Sequence, residues 1–242
     1  MIIRETPWEK DNLGVASSAV FQFEEGDDAL PGGVVDNRDY EYQEAVVPMK
    51  KVDLLNALLR CGFSFAEVAM HISVRLDDIA VPAMFSRRME GLSYHPASRE
   101  ELDLILDTMR QGNIFLTDKI ALNSRFGPKV AGRRYALWTA GEVARGTAWA
   151  YIVECEGEKI GFFVLKQAGP KTADGMLSGM FDTSRSMGMG FTVVYYPMVE
   201  AKARGMTKLV TTVSSNNPSI YKINQALGFQ IQKMDYILYR SL

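Results

Sequence analysis

The segment Arg185-Ser186-Met187-Gly188-Met189-Gly190 constrains this chain most, because it joins a strand-like stretch (175–182) to a long apolar helical stretch (190–203). Glycines let the backbone turn tightly and bring its amides close to a ligand. The helix that follows presents unpaired N–H groups and the positive end of its dipole. Together these features hold phosphate without net basic charge. The chain has a net charge of −2 with the signs interspersed, so nothing favours nucleic acid, and a small anion needs a local site of this kind. A Walker loop is excluded, since no Lys-Ser or Lys-Thr follows the glycines. A dinucleotide loop is excluded because Val193 stands where its third glycine belongs.

The rest of the chain reads as α/β. Residues 20–24 alternate as a strand, Pro31-Gly32-Gly33 marks a loop, and Leu54, Leu55, Leu58 and Leu59 share a helical face that Gly62 ends. Val68, Met70, Ile72 and Val74 alternate with Ala69, His71, Ser73 and Arg75, which predicts a strand with one buried face. Residues 77–91 read as a linker with room for a short strand, dividing a small N-terminal α/β domain (1–91) from a larger one (92–242).

In the larger part, Ser98 with Glu101 predicts a capping box, and Pro128 suits the first turn of a second helix that Gly146 stops. Residues 148–154 and 159–165 predict a hairpin through Glu156-Gly157. A strand at 208–213, a helix at 218–227 and a final strand or strands at 230–239 complete the order. Cys61-Gly62-Phe63 and Leu227-Gly228-Phe229 each join a helix to a strand. A common α/β junction is the simpler reading of this echo, and a duplicated half is the alternative.

At 242 residues and 47% hydrophobic, the chain can bury a core without staples. Two cysteines make no disulfide framework, the first ten residues do not read as a signal peptide, and no apolar run approaches the ~20 residues of a membrane span. The expectation is a cytoplasmic protein without membrane association. Two His and two Cys at scattered positions give no metal-ligand spacing, so no metal is expected.

Arg185-x-x-Gly188-x-Gly190 resembles the pyrophosphate-loop pattern of the GNAT superfamily of N-acetyltransferases. Asn216-Asn217-Pro218, a helix and Ala226-Leu227-Gly228-Phe229 are similar to its C-terminal signature. The resemblance covers residues 92–242. Trp8, Asp11, Leu13 and Gly14, then Arg134-Tyr135-Ala136-Leu137-Trp138, and the ending Tyr236-Ile237-Leu238-Tyr239-Arg240 look like amino-sugar acyltransferases of the dTDP-fucosamine acetyltransferase kind.

The resemblance implies a GNAT fold with a mixed, mostly antiparallel sheet splayed at the cofactor strand. The N-terminal domain could then be a degenerate GNAT half. The implied activity is transfer of an acetyl or similar short acyl group from acyl-CoA to the amine of a small molecule, such as a nucleotide-linked amino sugar. Peptide, protein or antibiotic amines are alternative acceptors, and a non-catalytic CoA-binding regulator is an alternative of another class. Exposed strand edges admit a homodimer.

By the same resemblance, Met180, Phe181 and Asp182 would meet the pantetheine arm. The amides of Met187, Gly188, Met189, Gly190 and Phe191, with Arg185 and Asn217, would hold the rest of CoA. Lys202, Arg204 or Lys208 would meet the 3′-phosphate. The superfamily's usual acid is a Tyr four residues before the Gly of Gly-Phe. Here that residue is Asn224, which cannot donate a proton as an acid does. Tyr221, one helical turn earlier, is the substitute acid, and Glu154 and Asp182 are candidates to orient or deprotonate the amine.

Overall fold

Local punctuation sets the ends of most elements in the structure, a computed structural model that describes residues 1–35, 39–77 and 79–242. The first ninety residues supply β1 (Ile2–Glu5), α1 (Glu9–Leu13), β2 (Ser18–Gln22), α2 (Gly32–Val35), β3 (Tyr42–Pro48), α3 (Val52–Arg60), β4 (Ser64–Arg75) and α4 (Ala83–Ser86). Then come β5 (Leu92–Pro96), α5 (Arg99–Arg110), α6 (Gly127–Ala144), β6 (Ala148–Cys155), β7 (Glu158–Gly169) and β8 (Thr172–Met180). The chain finishes with α7 (Thr192–Ala203), β9 (Lys208–Ser214), α8 (Pro218–Ala226) and β10 (Gln230–Ser241).

The predicted caps form. Ser98 Oγ accepts from Glu101 N at 3.2 Å, and Glu101 Oε2 accepts from Ser98 N at 2.8 Å. Glu156 and Gly157, at φ 50° and 79°, make the primed turn that a two-residue hairpin needs. Two expectations are corrected. The Pro31-Gly32-Gly33 loop opens the short helix α2, and the described part of the 77–91 linker holds the short helix α4 and no strand; Asp78 lies outside the described residues.

Among the described residues the ten strands form one sheet, in the order β1-β2-β3-β10-β4-β9-β8-β7-β6-β5. Helices α5 and α6 cover one face of the β6–β8 region through Ile105, Leu106, Met109 and Ala136. Helix α7 covers the other through Val193, Val194, Met198 and Ala201. Residues 1–91 and 92–242 share this sheet. The Glu9 carboxylate, 6% exposed, also accepts from Arg134 of α6, tying α1 to the second segment.

The central order β3-β10-β4-β9 has a symmetry. The unit β9–α8–β10 has β4 inserted between its strands, and the unit β3–α3–β4 has β10 inserted between its own. The β4–β10 ladder is irregular at Ala66 on one strand and Gln232 on the other. These residues are 166 apart in sequence, as are Gly62 and Gly228, so the two helix–Gly–Phe–strand junctions occupy equivalent places. This placement also corrects the one-faced reading of β4. On the expected polar face Glu67, Ala69 and Ser73 are buried, while on the expected apolar face Val68 and Met70 are only half-buried.

Residues 1–91 and 92–242 each contain one parallel junction. Strands β2 and β3 pair from Ser18↔Tyr42 to Gln22↔Val46, and Phe23 N donating to Val46 O continues the ladder. Strands β8 and β9 pair only at Thr172↔Lys208, Ala173↔Leu209 and Asp174↔Val210, and then separate. The first junction is zipped and the second is open.

Candidate active site at the open strand junction

Where β8 and β9 part, Thr211 Oγ1 donates to Gly175 O at 2.8 Å, a side-chain bridge in place of a ladder bond. Beyond it lies a cavity of about 510 Å³, within the range of small-molecule sites. Its walls are Gly175–Met180 of β8, Thr211–Ser214 of β9, Gly190, Val193 and Pro197 at the start of α7, and Asn217, Ile220 and Asn224 of α8. Asn113, Phe115, Asp118 and Tyr135 close the side formed by α6 and the segment before it. Phe181 N donates to Ile160 O at 2.8 Å. By strand alternation, Ser178 and Met180 then turn their backbone polar groups toward the gap.

The glycine loop opens onto the same cavity through Gly190. Residues 187–191 form turns that lead into α7. Gly188 has φ 74°, which only glycine adopts without strain. Met189 N donates to Ser186 O at 3.0 Å, and Thr192 N to Met189 O at 2.9 Å. The amides of Met187, Gly188, Gly190 and Phe191 have no acceptor among the described residues. Four open donors therefore lie within five residues of chain directly before a twelve-residue helix.

Several expected residues are brought together here and others are not. Met180, Gly190, Asn217 and Asn224 line the cavity. Phe181 is buried with its amide committed to β7, so it offers no donor to the gap. Asp182 is exposed beyond the end of β8 and does not line the cavity, and neither does Glu154 on β6. Arg185 turns away from the loop: its guanidinium pairs with Glu156 and, at 2.9 Å, with Glu158 at the hairpin turn. These carboxylates hold it fully charged, raising its pKa further.

Lys202 and Arg204 sit at the far end of α7, roughly 16 Å from the loop at 1.5 Å per residue. Lys202 donates to Asp77 O, and Arg204 to Glu200 and Tyr151. Lys208 begins β9 at its paired end, away from the open gap.

Tyr221 does not line the cavity. It packs into the core shared with α7. Successive helical residues turn by about 100°, so Ile220 and Asn224, one i,i+4 pair, hold the face that looks into the gap. Asn224 is 2% exposed; its Nδ2 donates to Ile220 O at 2.8 Å, while its Oδ1 has no partner among the described residues. Asn217 caps α8, its Oδ1 accepting from Ile220 N at 3.2 Å.

Three contacts were not foreseen from the sequence. Arg88, in the linker, donates from Nη1 to Gly188 O at 2.9 Å, beside the open amides. Phe85 stacks on Phe191 at 4.4 Å between ring centroids and docks that linker on the loop. Tyr135 OH donates to Asp118 Oδ2 at 2.6 Å in the cavity wall; burial, reinforced by Asp118, drives this phenol well above its usual pKa. Among the described residues no cluster of three or more metal-ligating side chains forms, and no helix is long and apolar enough to cross a membrane.

No family model and no curated protein matches the chain. Solved structures do. A GCN5-related N-acetyltransferase from Kribbella flavida aligns at TM-score 0.55 and 18% identity, over 93% of this chain and 81% of that one. One from Sphaerobacter thermophilus aligns at 0.57 and 10%, over 83% and 59%. A GCN5-related glucosamine N-acetyltransferase region of a fungal multi-domain β-N-acetylglucosaminidase aligns at 0.60 and 13%, over 82% and 25%. The chain thus spans about three-fifths of the Sphaerobacter protein's length and a quarter of the fungal one. The shared feature is the fold: this chain has the mixed, splayed-sheet architecture of the GCN5-related N-acetyltransferases.

Proposed function

We propose that this protein transfers an acetyl or similar short acyl group from acyl-CoA to the amine of a small molecule. The observation that carries the reading is the continuity of two features. An opened parallel junction exposes the backbone of Ser178 and Met180, and a loop beside it presents four free amides at a helix start. An extended pantetheine arm can pair with the former while a diphosphate sits on the latter.

In this reading Arg88, not Arg185, supplies the positive charge beside the diphosphate. The amine attacks the thioester carbonyl, a backbone N–H of the opened strand receives the developing oxyanion, and the thiolate leaves. Much of the rate comes from holding amine and thioester together. A free thiol has a pKa of about 8.5, so the leaving group needs only modest help from an acid. The site is read as metal-free.

An amino sugar, free or nucleotide-linked, is the acceptor to test first. A similar structure is described as a glucosamine N-acetyltransferase region, which is consistent with that choice. Peptide, protein and antibiotic amines form the next panel.

A second reading, CoA binding without transfer, draws on Asn224 and Tyr221: α8 offers the cavity an amide and no acid. One experiment separates the two. Acetyl-CoA binding is measured by titration calorimetry, and free thiol release is then followed with glucosamine, galactosamine, lysine, spermidine and tyramine. Binding with release by any amine supports transfer, binding without release supports the second reading, and no binding removes both.

A further inference from the structure

Strand β4 comes from the first ninety residues and does not line the cavity, yet one of its side chains lies directly behind a residue that does. Glu67 is 8% exposed, and no Lys or Arg lies within ion-pair distance of it among the described residues. Its Oε2 accepts a hydrogen bond from Ser214 Oγ at 2.5 Å. Ser214 ends β9, four residues past the last pair with β8, and lines the cavity. The same Ser214 Oγ accepts from Asn216 N at 3.1 Å. A hydroxyl has one proton and two lone pairs. Here the proton is committed to Glu67 and one lone pair to Asn216, so a single acceptor position remains on Ser214 Oγ.

We infer that Ser214 and Glu67 form a proton relay that deprotonates the acceptor amine, with Ser214 touching the amine and Glu67 acting through it. The inference rests on the acyl-transfer reading above. The acceptor arrives as an ammonium ion. One N–H proton passes to Ser214 Oγ while the Ser214 hydroxyl proton passes to the Glu67 carboxylate, so the net change is one proton moved from nitrogen to Glu67. The freed lone pair forms the C–N bond at the thioester carbonyl carbon, and the carbonyl π pair moves onto oxygen. Collapse restores the carbonyl and breaks the C–S bond. The second amine proton ends on the departing sulfur, and Glu67 returns its own to solvent.

The surroundings favour this direction. Burial raises the Glu67 carboxyl above its ordinary value, against the Ser214 hydrogen bond and the charge of Lys119; Asp118 and Glu44 add to the rise. A base is most useful when its pKa lies nearer the working pH. The groups facing Glu67 are Ser214 from β9, Asp118 and Lys119 from the segment before α6, Glu44 from β3 and Tyr135 from α6. Most are already committed: Lys119 pairs with Glu44 at 2.6 Å, and Asp118 accepts from Tyr135 OH. With Glu67 itself, three carboxylates face one lysine, which suits an acceptor that binds as a cation. The relay also gives the exchanged strand a chemical role, because the cavity's proton acceptor comes from the N-terminal segment.

The test uses acetyl-CoA and the fastest amine of the panel with the full chain. Glu67→Gln should lower kcat by about a hundredfold or more, the usual worth of a general base, and leave acetyl-CoA affinity unchanged. The acid limb of kcat/KM should lose the ionisation set by Glu67, leaving only the dependence due to the amine. Glu67→Asp should restore part of the rate, and Ser214→Ala should lower kcat in the same way. Ser214→Ala carries the test should Glu67→Gln not fold. If the unsubstituted protein turns over an amine and both Glu67→Gln and Ser214→Ala keep its rate and acid limb, the relay is wrong and acyl transfer stands. If it binds acetyl-CoA and acylates no amine, the acyl-transfer reading fails and the relay with it.

Discussion

Replacing Gly188 by alanine should separate the cost of bending the loop from the cost of losing its ligand. The residue sits at φ 74°, and a side chain there costs about 1–2 kcal/mol. Its new Cβ would meet Arg88 Nη1 at 2.9 Å, the tip of an exposed, flexible side chain that can move aside. Moving it gives up the hydrogen bond to Gly188 O, worth about 1 kcal/mol. The folded protein should therefore lose about 2–3 kcal/mol, a drop of roughly 4–12 °C in Tm for a chain of this length. Relaxation out of the left-handed region rotates the Gly188 amide. One lost hydrogen bond to a charged phosphate, about 1.5–3 kcal/mol, weakens CoA binding roughly ten- to a hundredfold. Gly205→Ala is the control. It lies past the other end of α7 at φ 77° with nothing within 4 Å of its Cβ, so it bears similar strain far from the loop. Calorimetric titration with CoA and thermal unfolding of both variants check the argument. Equal CoA affinity in Gly188→Ala and Gly205→Ala would refute the phosphate-loop assignment, whatever the melting temperatures.

Arg88→Ala should weaken CoA binding, more so at low than at high salt, while Arg185→Ala should leave it nearly unchanged because Glu156 and Glu158 already hold that guanidinium; titrations at two ionic strengths decide this, and the reverse order would restore Arg185 to the site. Gly132→Ala should destabilise the fold, since its Cβ would lie 2.0 Å from Met109 O where α5 and α6 touch. Overpacking costs about 1–3 kcal/mol and the gain in helix propensity is at most about 1, so a Tm equal to or above that of the unsubstituted protein would contradict this packing. The Lys159 hydrogen bond, helped by the Ser98 amide, holds the Glu101 carboxyl down to about 2, from an ordinary value near 4.5. A depressed carboxyl stabilises the fold above its unfolded pKa and loses that contribution as pH falls through its folded one. Lys159→Ala should thus be less stable by up to about 1 kcal/mol at pH 7, since Lys159 is 39% exposed. The difference should shrink between pH 4.5 and 2, and denaturant unfolding across that window shows whether it does.

What could be read from residue order was what is encoded over a few positions. The Ser98–Glu101 box, the Glu156-Gly157 turn, Pro128 in the first turn of α6 and the Asn217 cap all depend on neighbours within four residues. The glycine loop belongs to the same class. The placement of β4 does not, because alternation along a strand reports a solvent face only if the strand has one. Glu67 therefore sits in the interior at a position that composition alone would put outside. Tyr221 lies off the cavity lining for a related reason: i and i+3 share a face only loosely, and the neighbours of α8 chose the Ile220–Asn224 line. Arg88 reaches the loop across a hundred residues of chain, and Arg185 is drawn off by Glu156 and Glu158, twenty-seven and more residues earlier. No local pattern carries such meetings.

The reciprocal insertion of β4 and β10 has a consequence for how this molecule comes into being. During synthesis, β3 and β4 must wait with a vacant lane between them, because the strand that belongs there is made more than 150 residues after β4. Contacts this distant in sequence slow folding, and waiting edges invite the wrong neighbour. Neither β3 nor β4 can complete its pairing first, and a lesion in β10 would be felt at once by both.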